Sequence, residues 1–198
     1  MVRKYKLKLR ADSQRETRKR IVEATVHLHQ TIGSSKTTIS AIAEKAGVER
    51  LTVYRHFPDE RSLFTACTSH YLTLNPPPDP SEWERIVEPT QRLRTALTEI
   101  YAFHVRTEPM FNRAAHDLDE IPVLREVLAP FFSYWQRVHE ILCAPWKVTG
   151  RTRVLACALI GHAITFQTWR SLVREQGLKN ADAVDLLVRI LGSLVSKE

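Results

Sequence analysis

The tightest constraint in this chain is Gly47, with a short apolar-striped segment on either side. Before it, Ile39, Ile42, Ala43 and Ala46 recur at helical spacing, led by Thr38, a residue type that caps helices. After it, Val53 and Phe57 again turn one helical face inward, and Val48 is placed to plug the angle between the segments. Glycine at the junction takes the left-handed conformation that a side chain resists. Two short helices, about 39–46 and 49–56, around a glycine turn have the spacing of a helix-turn-helix. The second helix of that unit is suited to a DNA major groove.

The remaining chain also reads as helix. Ser13 is placed to cap a first helix over 13–32, with Glu16 as its capping-box partner and Gly33 as its end. Ile21, Ala24, Thr25, Leu28 and Ile32 form its inward face, and Arg15, Arg18 and Lys19 lie on or beside the polar one. Only residues 4–10 alternate apolar and polar. A strand there has no partner, so residues 1–12 are expected to form a flexible basic arm. Such an arm lies along phosphates or in a minor groove, or is a tail without a role.

Asp59 caps a fourth helix striped by Leu63, Phe64, Cys67, Tyr71 and Leu74. The run Asn75-Pro76-Pro77-Pro78-Asp79-Pro80 breaks it and marks the clearest boundary. Beyond lie five expected helices: 81–107 bent near Pro89, 109–118, 122–143 kinked at Pro130, 150–176 ended by Gly177, and 180–196. The fold class is all-α with about nine helices. Its expected parts are the arm, a three-helix head over 13–57, a connecting helix over 58–75 and a helical domain over 76–198.

Charge singles out the head. Residues 1–75 carry 14 Lys or Arg against 7 Asp or Glu, whereas residues 76–198 carry 15 of each. The whole +7 excess therefore sits with the helix-turn-helix, an electrostatic footprint for a polyanion. Three cysteines at no metal-like spacing, with no secretory signal, fit reduced thiols and a cytoplasmic location. The longest apolar run, 154–166, falls short of the roughly 20 residues that span a bilayer, so no membrane partner is expected.

The residues Thr37-Thr38-Ile39, Ile42-Ala43-Glu44-Lys45-Ala46-Gly47-Val48, Thr52-Val53-Tyr54-Arg55-His56-Phe57-Pro58 and Leu63-Phe64 resemble the tetracycline-repressor (TetR) family of bacterial transcriptional regulators. The resemblance covers about residues 15–64. It implies a three-helix DNA-binding head, a connecting helix, and a helical domain that binds a small-molecule effector. It also implies a homodimer through the last two helices. The chain departs from the family pattern at several places. The family often has an aromatic at the position of His29 and an apolar or aromatic residue at Ser34, so the core of the head is expected to be looser here. Glu49 stands where a Ser or Thr usually caps the third helix, and Leu51 where a small residue is common. Glu60 occupies the place of a phosphate-binding Lys, with Arg61 next to it as the candidate substitute.

The candidate DNA contacts follow from these residues. Arg50 is the first choice for base readout, because an Arg grips guanine O6 and N7 with two hydrogen bonds. Leu51 and Thr52 suit a thymine methyl or a base edge. Tyr54 and His56 suit phosphates, as do Thr38 and Ser40 at the positive end of the second helix. Lys36, Arg55 and Arg61 complete the set. For an effector pocket the aromatic and histidine content of the second domain offers Phe103, His104, Trp135, His139, Phe166 and Trp169. Leu155, Leu159, Phe166, Val184, Leu187 and Leu191 belong to stripes that suit a four-helix interface between subunits.

His139 with Cys143, and His116 with Glu120, share helical faces at a spacing of four, which leaves a helical metal-dependent enzyme as an alternative. With no glycine-rich phosphate loop, nucleophile elbow or paired zinc-ligand motif, no catalytic residue, metal or cofactor is assigned. The expected function is a DNA-binding repressor released from a palindromic operator by a small molecule. An activator, a regulator that needs its ligand to bind DNA, and a helical interaction module remain open beside it.

Overall fold

The computed structural model describes residues 2–196, apart from the side chains of residues 2–4, 6–8, 115, 116 and 119. His116 therefore lies outside the described side chains, and the pair it was expected to form with Glu120 goes with it. Among the described residues the chain is all helix, with no strand. In order the elements are α1 (Val2–Ile32), α2 (Ile39–Ala46), α3 (Arg50–His56), α4 (Glu60–Leu74), α5 (Pro80–Glu84) and α6 (Pro89–Glu120). They continue with α7 (Pro122–Val127), α8 (Ala129–Cys143), α9 (Gly150–Ala163), α10 (Phe166–Arg170), a π-helical turn (Ser171–Glu175) and α11 (Asn180–Val195).

Several boundaries differ from the expectation, each for a local reason. Helix α1 starts at Val2. The alternation over residues 4–10 is of Lys and Leu, both good helix formers, and without a partner strand they extend α1 instead of forming a separate arm. Ser13 is thus inside the helix and not a cap: its carbonyl accepts from the Thr17 hydroxyl at 2.9 Å. The expected helix over 81–107 is interrupted before Pro89, which begins α6. A proline suits a first helical position, where its missing N–H goes unused, and the Glu88 carboxylate accepts from the amides of Thr90 and Gln91. Helix α6 then runs through Pro109, which is exposed, and absorbs the short helix expected at 109–118. The helix over 122–143 breaks at Leu128, and that over 150–176 at Thr165, whose hydroxyl caps α10 by accepting from the Thr168 amide.

The chain packs as two units, and neither is a continuous stretch. One comprises Met1–Leu74 with Pro109–Ala129, the other Asn75–Glu108 with Pro130–Glu198. In the first, Ile21, Val22, Ala24, Ile42, Ala43, Val53, Phe57, Leu63 and Cys67 form one buried core, with Met110 of α6 packed against it. Residues 109–129 therefore join the head, although the linear order put them in the second domain. In the second unit Trp83, Leu93, Leu97, Ile100, Tyr101, Phe103, Ile160, Trp169 and Leu191 are buried. Arg92 ties that unit's loops by donating to the carbonyls of Ile86, Ile141 and Glu84.

Candidate nucleic-acid interface

The turn forms as its sequence demands. Gly47 has φ of 63°, and its N–H with that of Val48 satisfies the carbonyls of Glu44 and Ala43 at the end of α2. At the other end of α2, the Thr38 hydroxyl oxygen accepts from the Ala41 amide at 3.2 Å, which leaves its proton for a phosphate. Lys36, Thr38 and Ser40 are all exposed around that helix start. Glu49 gives α3 no side-chain cap, in keeping with its departure from the usual Ser or Thr.

Val53 and Phe57, both buried, pin α3 to the core and fix which way its other residues turn. Arg50, Leu51 and Tyr54 share one outward face. Leu51 is 55% and Tyr54 46% exposed, unusual for an apolar and an aromatic side chain unless something covers them. Thr52 and His56 are half-buried and Arg55 is exposed. Arg61 stands apart from this set: its guanidinium pairs with Glu126 of α7. The two side chains are both more than half exposed, a pair that a phosphate can replace at little cost.

One residue that holds the loop into α2 escaped the sequence. Asp117 of α6 is 2% exposed, and its carboxylate accepts from the amides of Ser34 at 2.6 Å and Ser35 at 3.3 Å. It therefore clasps the loop that leads into α2. Gly33 opens that loop with φ of 91°, and a Cβ there would sit 3.5 Å from the carboxylate. Nothing local in the sequence links position 117 to position 34.

In the second unit His104 gathers most of the expected effector residues. Its ring lies 5.8 Å from Trp135, 5.6 Å from Phe166, 5.9 Å from Trp169 and 6.0 Å from Phe103. Its Nε2 is 3.1 Å from the Ile164 carbonyl, so that nitrogen carries the proton. Arg174 lies over Trp169 at 5.0 Å and grips Glu108 through two nitrogens. His139 is bound elsewhere, with Nε2 at 2.8 Å from the Cys157 carbonyl and 3.3 Å from Cys143 Sγ. Nε2 donates to that carbonyl, so it is not itself a base or a metal ligand, and the lone pair lies on Nδ1. Burial, with Cys157 beside it, pushes the Cys143 thiol well above its ordinary range, which makes it a poor nucleophile. Among the described residues no three His, Cys, Asp or Glu side chains gather to hold a metal ion.

Each unit thus holds a buried neutral histidine. Burial lowers His104 to about 4, against a smaller opposing effect of the Ile164 carbonyl. Burial lowers His29 to about 4 likewise, with Asp117 opposing. The folded-state values lie below the unfolded one, so the unfolded chain takes up these protons first. Stability is expected to fall as pH drops through about 6.5, and the loss to finish near pH 4, at about 2–3 kcal/mol per histidine. Melting curves across this window check it. His104→Phe is expected to flatten the slope, and an unchanged slope would remove His104 from the account.

Burial corrects the expected subunit interface. Phe166, Val184, Leu187 and Leu191 are buried within their own unit and cannot face a partner. Leu159 is half-buried. Exposed apolar residues on these helices include Val154 (68% exposed), Leu155 (43%) and Ala158 on α9, with Ile190 (45%) on α11, a helix packed against α9.

Residues 21–67 match the sequence model described as bacterial regulatory proteins, tetR family. Over this stretch the amino-terminal head is similar to the TetR family. Over 126 residues the chain is 29% identical to the transcriptional repressor KstR of Mycolicibacterium smegmatis, covering 64% of this chain and 55% of that one. Over 78 residues it is 37% identical to the transcriptional regulator SrpR of Pseudomonas putida, covering 36% and 37%. The aligned stretch thus spans about half the length of KstR and little more than a third of SrpR. The fold is similar to that of a TetR-like transcriptional regulator from Rhodococcus sp. RHA1, with a TM-score of 0.60 at 19% identity, over 91% of this chain and 94% of that one. It is also similar to a fatty acid metabolism regulator, described as putative, from Clostridium perfringens, with a TM-score of 0.59 at 19% identity, over 87% and 97%. No helix among the described residues is long and apolar enough to cross a membrane.

Proposed function

We propose that this TetR-family protein is a sequence-specific DNA-binding homodimer that represses transcription in the cytoplasm and leaves a palindromic operator when a small molecule binds. The observation that carries the reading is the outward face of α3, where Arg50, Leu51 and Tyr54 stand exposed on a helix locked by Gly47, Val53 and Phe57. Arg50 reads a guanine, and Leu51 a thymine methyl. Tyr54, Thr38, Ser40 and Lys36 hold phosphates and set the register. Two heads related by a two-fold axis read half-sites about 34–36 Å apart. Val154, Leu155, Ala158 and Ile190 supply the apolar face for that pairing. The ring cluster around His104 suits a mostly apolar effector, which releases DNA by binding more tightly to the form whose heads are wrongly spaced.

Selecting bound duplexes from a random pool tests the reading. Arg50→Ala is expected to lose about 1–3 kcal/mol of discrimination at one base pair in each half-site, while Tyr54→Phe weakens all sequences alike. An unchanged preference in Arg50→Ala removes that residue from base readout. A wild-type protein that enriches no sequence overturns the function.

A further inference from the structure

Helices α1 and α3 enclose a cleft whose lining includes Gln14, Arg15 and Arg18 of the first and Thr52, Arg55 and His56 of the second. Among the described residues no carboxylate lines it. Asp12 approaches Arg15 to 3.5 Å, but both side chains are largely exposed, and such a pair contributes little. Arg18 is held in place, its guanidinium 4.5 Å above the ring of Phe57, which is itself buried in the core. Three guanidiniums that share one cleft without a carboxylate repel one another, and an anion between them relieves that repulsion.

The cleft also divides the recognition helix. Thr52, Arg55 and His56, at spacings of three and four, line it together, whereas Arg50, Leu51 and Tyr54 lie on the other exposed face. The one helix therefore presents a base-reading face and, beside it, a cationic face shared with α1.

We infer that this cleft is a phosphate site, in which Arg15 and Arg18 of α1 join Arg55 and His56 of α3 on the sugar-phosphate backbone of the duplex that α3 reads. The inference rests on the DNA-binding function proposed above. It extends the contact surface to a helix outside the helix-turn-helix and gives Arg55 the backbone role already expected of His56. Guanidinium forks match phosphate oxygens in geometry and charge, so the site adds affinity without sequence information.

Arg15→Gln/Arg18→Gln separates this inference from the function beneath it. Each phosphate contact contributes about 0.9 to the slope of log affinity against log salt, and two arginines in each of two heads make four contacts, so the double variant is expected to lose about three to four from that slope. The wild-type advantage then grows about a hundredfold as salt falls from about 200 to 50 mM, and the selected sequence stays the same. Arg18→Lys, which keeps the charge, is expected to recover most of the Arg18 share. Melting curves confirm that each variant folds. An unaltered slope in a folded double variant overturns the inference while leaving the function standing, and so does a changed base preference. Micromolar binding of inorganic pyrophosphate to the DNA-free protein, lost in Arg15→Gln, would assign the cleft to a free anion and overturn it too. A wild-type protein with no salt-sensitive DNA binding is the separate failure of the underlying function.

Discussion

Replacing Asp117 by alanine is expected to cost the amino-terminal unit about 2–4 kcal/mol and to weaken DNA binding, although the residue is 2% exposed and offers nothing to DNA. The carboxylate accepts two backbone hydrogen bonds, from Ser34 and Ser35, at the loop that aims α2. Bonds to a charged acceptor contribute about 1.5–3 kcal/mol each, and their loss leaves two amides without a partner in a part-buried place. Asp117→Asn keeps one acceptor and the shape, and so falls between wild type and alanine. Burial pushes the Asp117 carboxyl up, but the hydrogen bonds from Ser35 and Ser34 outweigh it and hold the group below the ordinary carboxylate range. The clasp is therefore complete at neutral pH and fails only as pH falls through that lowered value. Urea denaturation gives the cost, and faster amide exchange at Ser34 and Ser35 than at core positions of α4 shows whether the loop itself has come loose. Equal stability of Asp117→Ala and wild type at pH 7 would show that the clasp holds nothing.

The contrast between Gly47 and Asp117 shows what the sequence exposed and what it hid. A helix-turn-helix is built from neighbours: Thr38, Gly47, Val48, Val53 and Phe57 act within 20 residues, so their spacing alone yields α2, the turn and α3. Asp117 acts on a loop 83 residues earlier, and an acidic residue on a helix is most often simply solvated. Prolines were legible as interruptions but not in their sense. Pro89 starts a helix and Pro109 sits within one, because the outcome depends on whether the missing N–H falls at a free helix start or on an exposed face.

In the second unit the side-chain types were readable and their partners were not. Phe103, His104, Trp135, Phe166 and Trp169 do meet, while His139, equally polar and equally placed in sequence, turns to Cys143 and the Cys157 carbonyl. The same limit explains the interface stripe. Apolar periodicity marks a face without telling whether a neighbouring helix or a second subunit covers it; burial assigns Leu191 to the first and leaves Ile190 exposed.

That division makes the subunit pairing testable with the larger effect on DNA. Leu155→Glu/Ile190→Glu is expected to yield a folded monomer in sedimentation and to weaken binding to a two-half-site duplex by about 10²–10⁴-fold. Both side chains are already 43–45% exposed within one chain, so glutamate there meets water and leaves the unit's own core intact. Across a two-fold axis the same substitutions bring carboxylates from both subunits into one apolar patch, where each loses its hydration without a counter-charge. The loss on DNA is that of linkage: one head alone forfeits the effective concentration that the other provides. Val87→Glu, at a site 88% exposed and off both helices, is the matched control and is expected to change neither mass nor affinity. Affinity for a duplex carrying a single half-site is expected to survive the double substitution. A double variant that sediments as a dimer would move the interface off the α9–α11 face, and one that is monomeric yet binds the full operator undiminished would detach DNA reading from dimerisation.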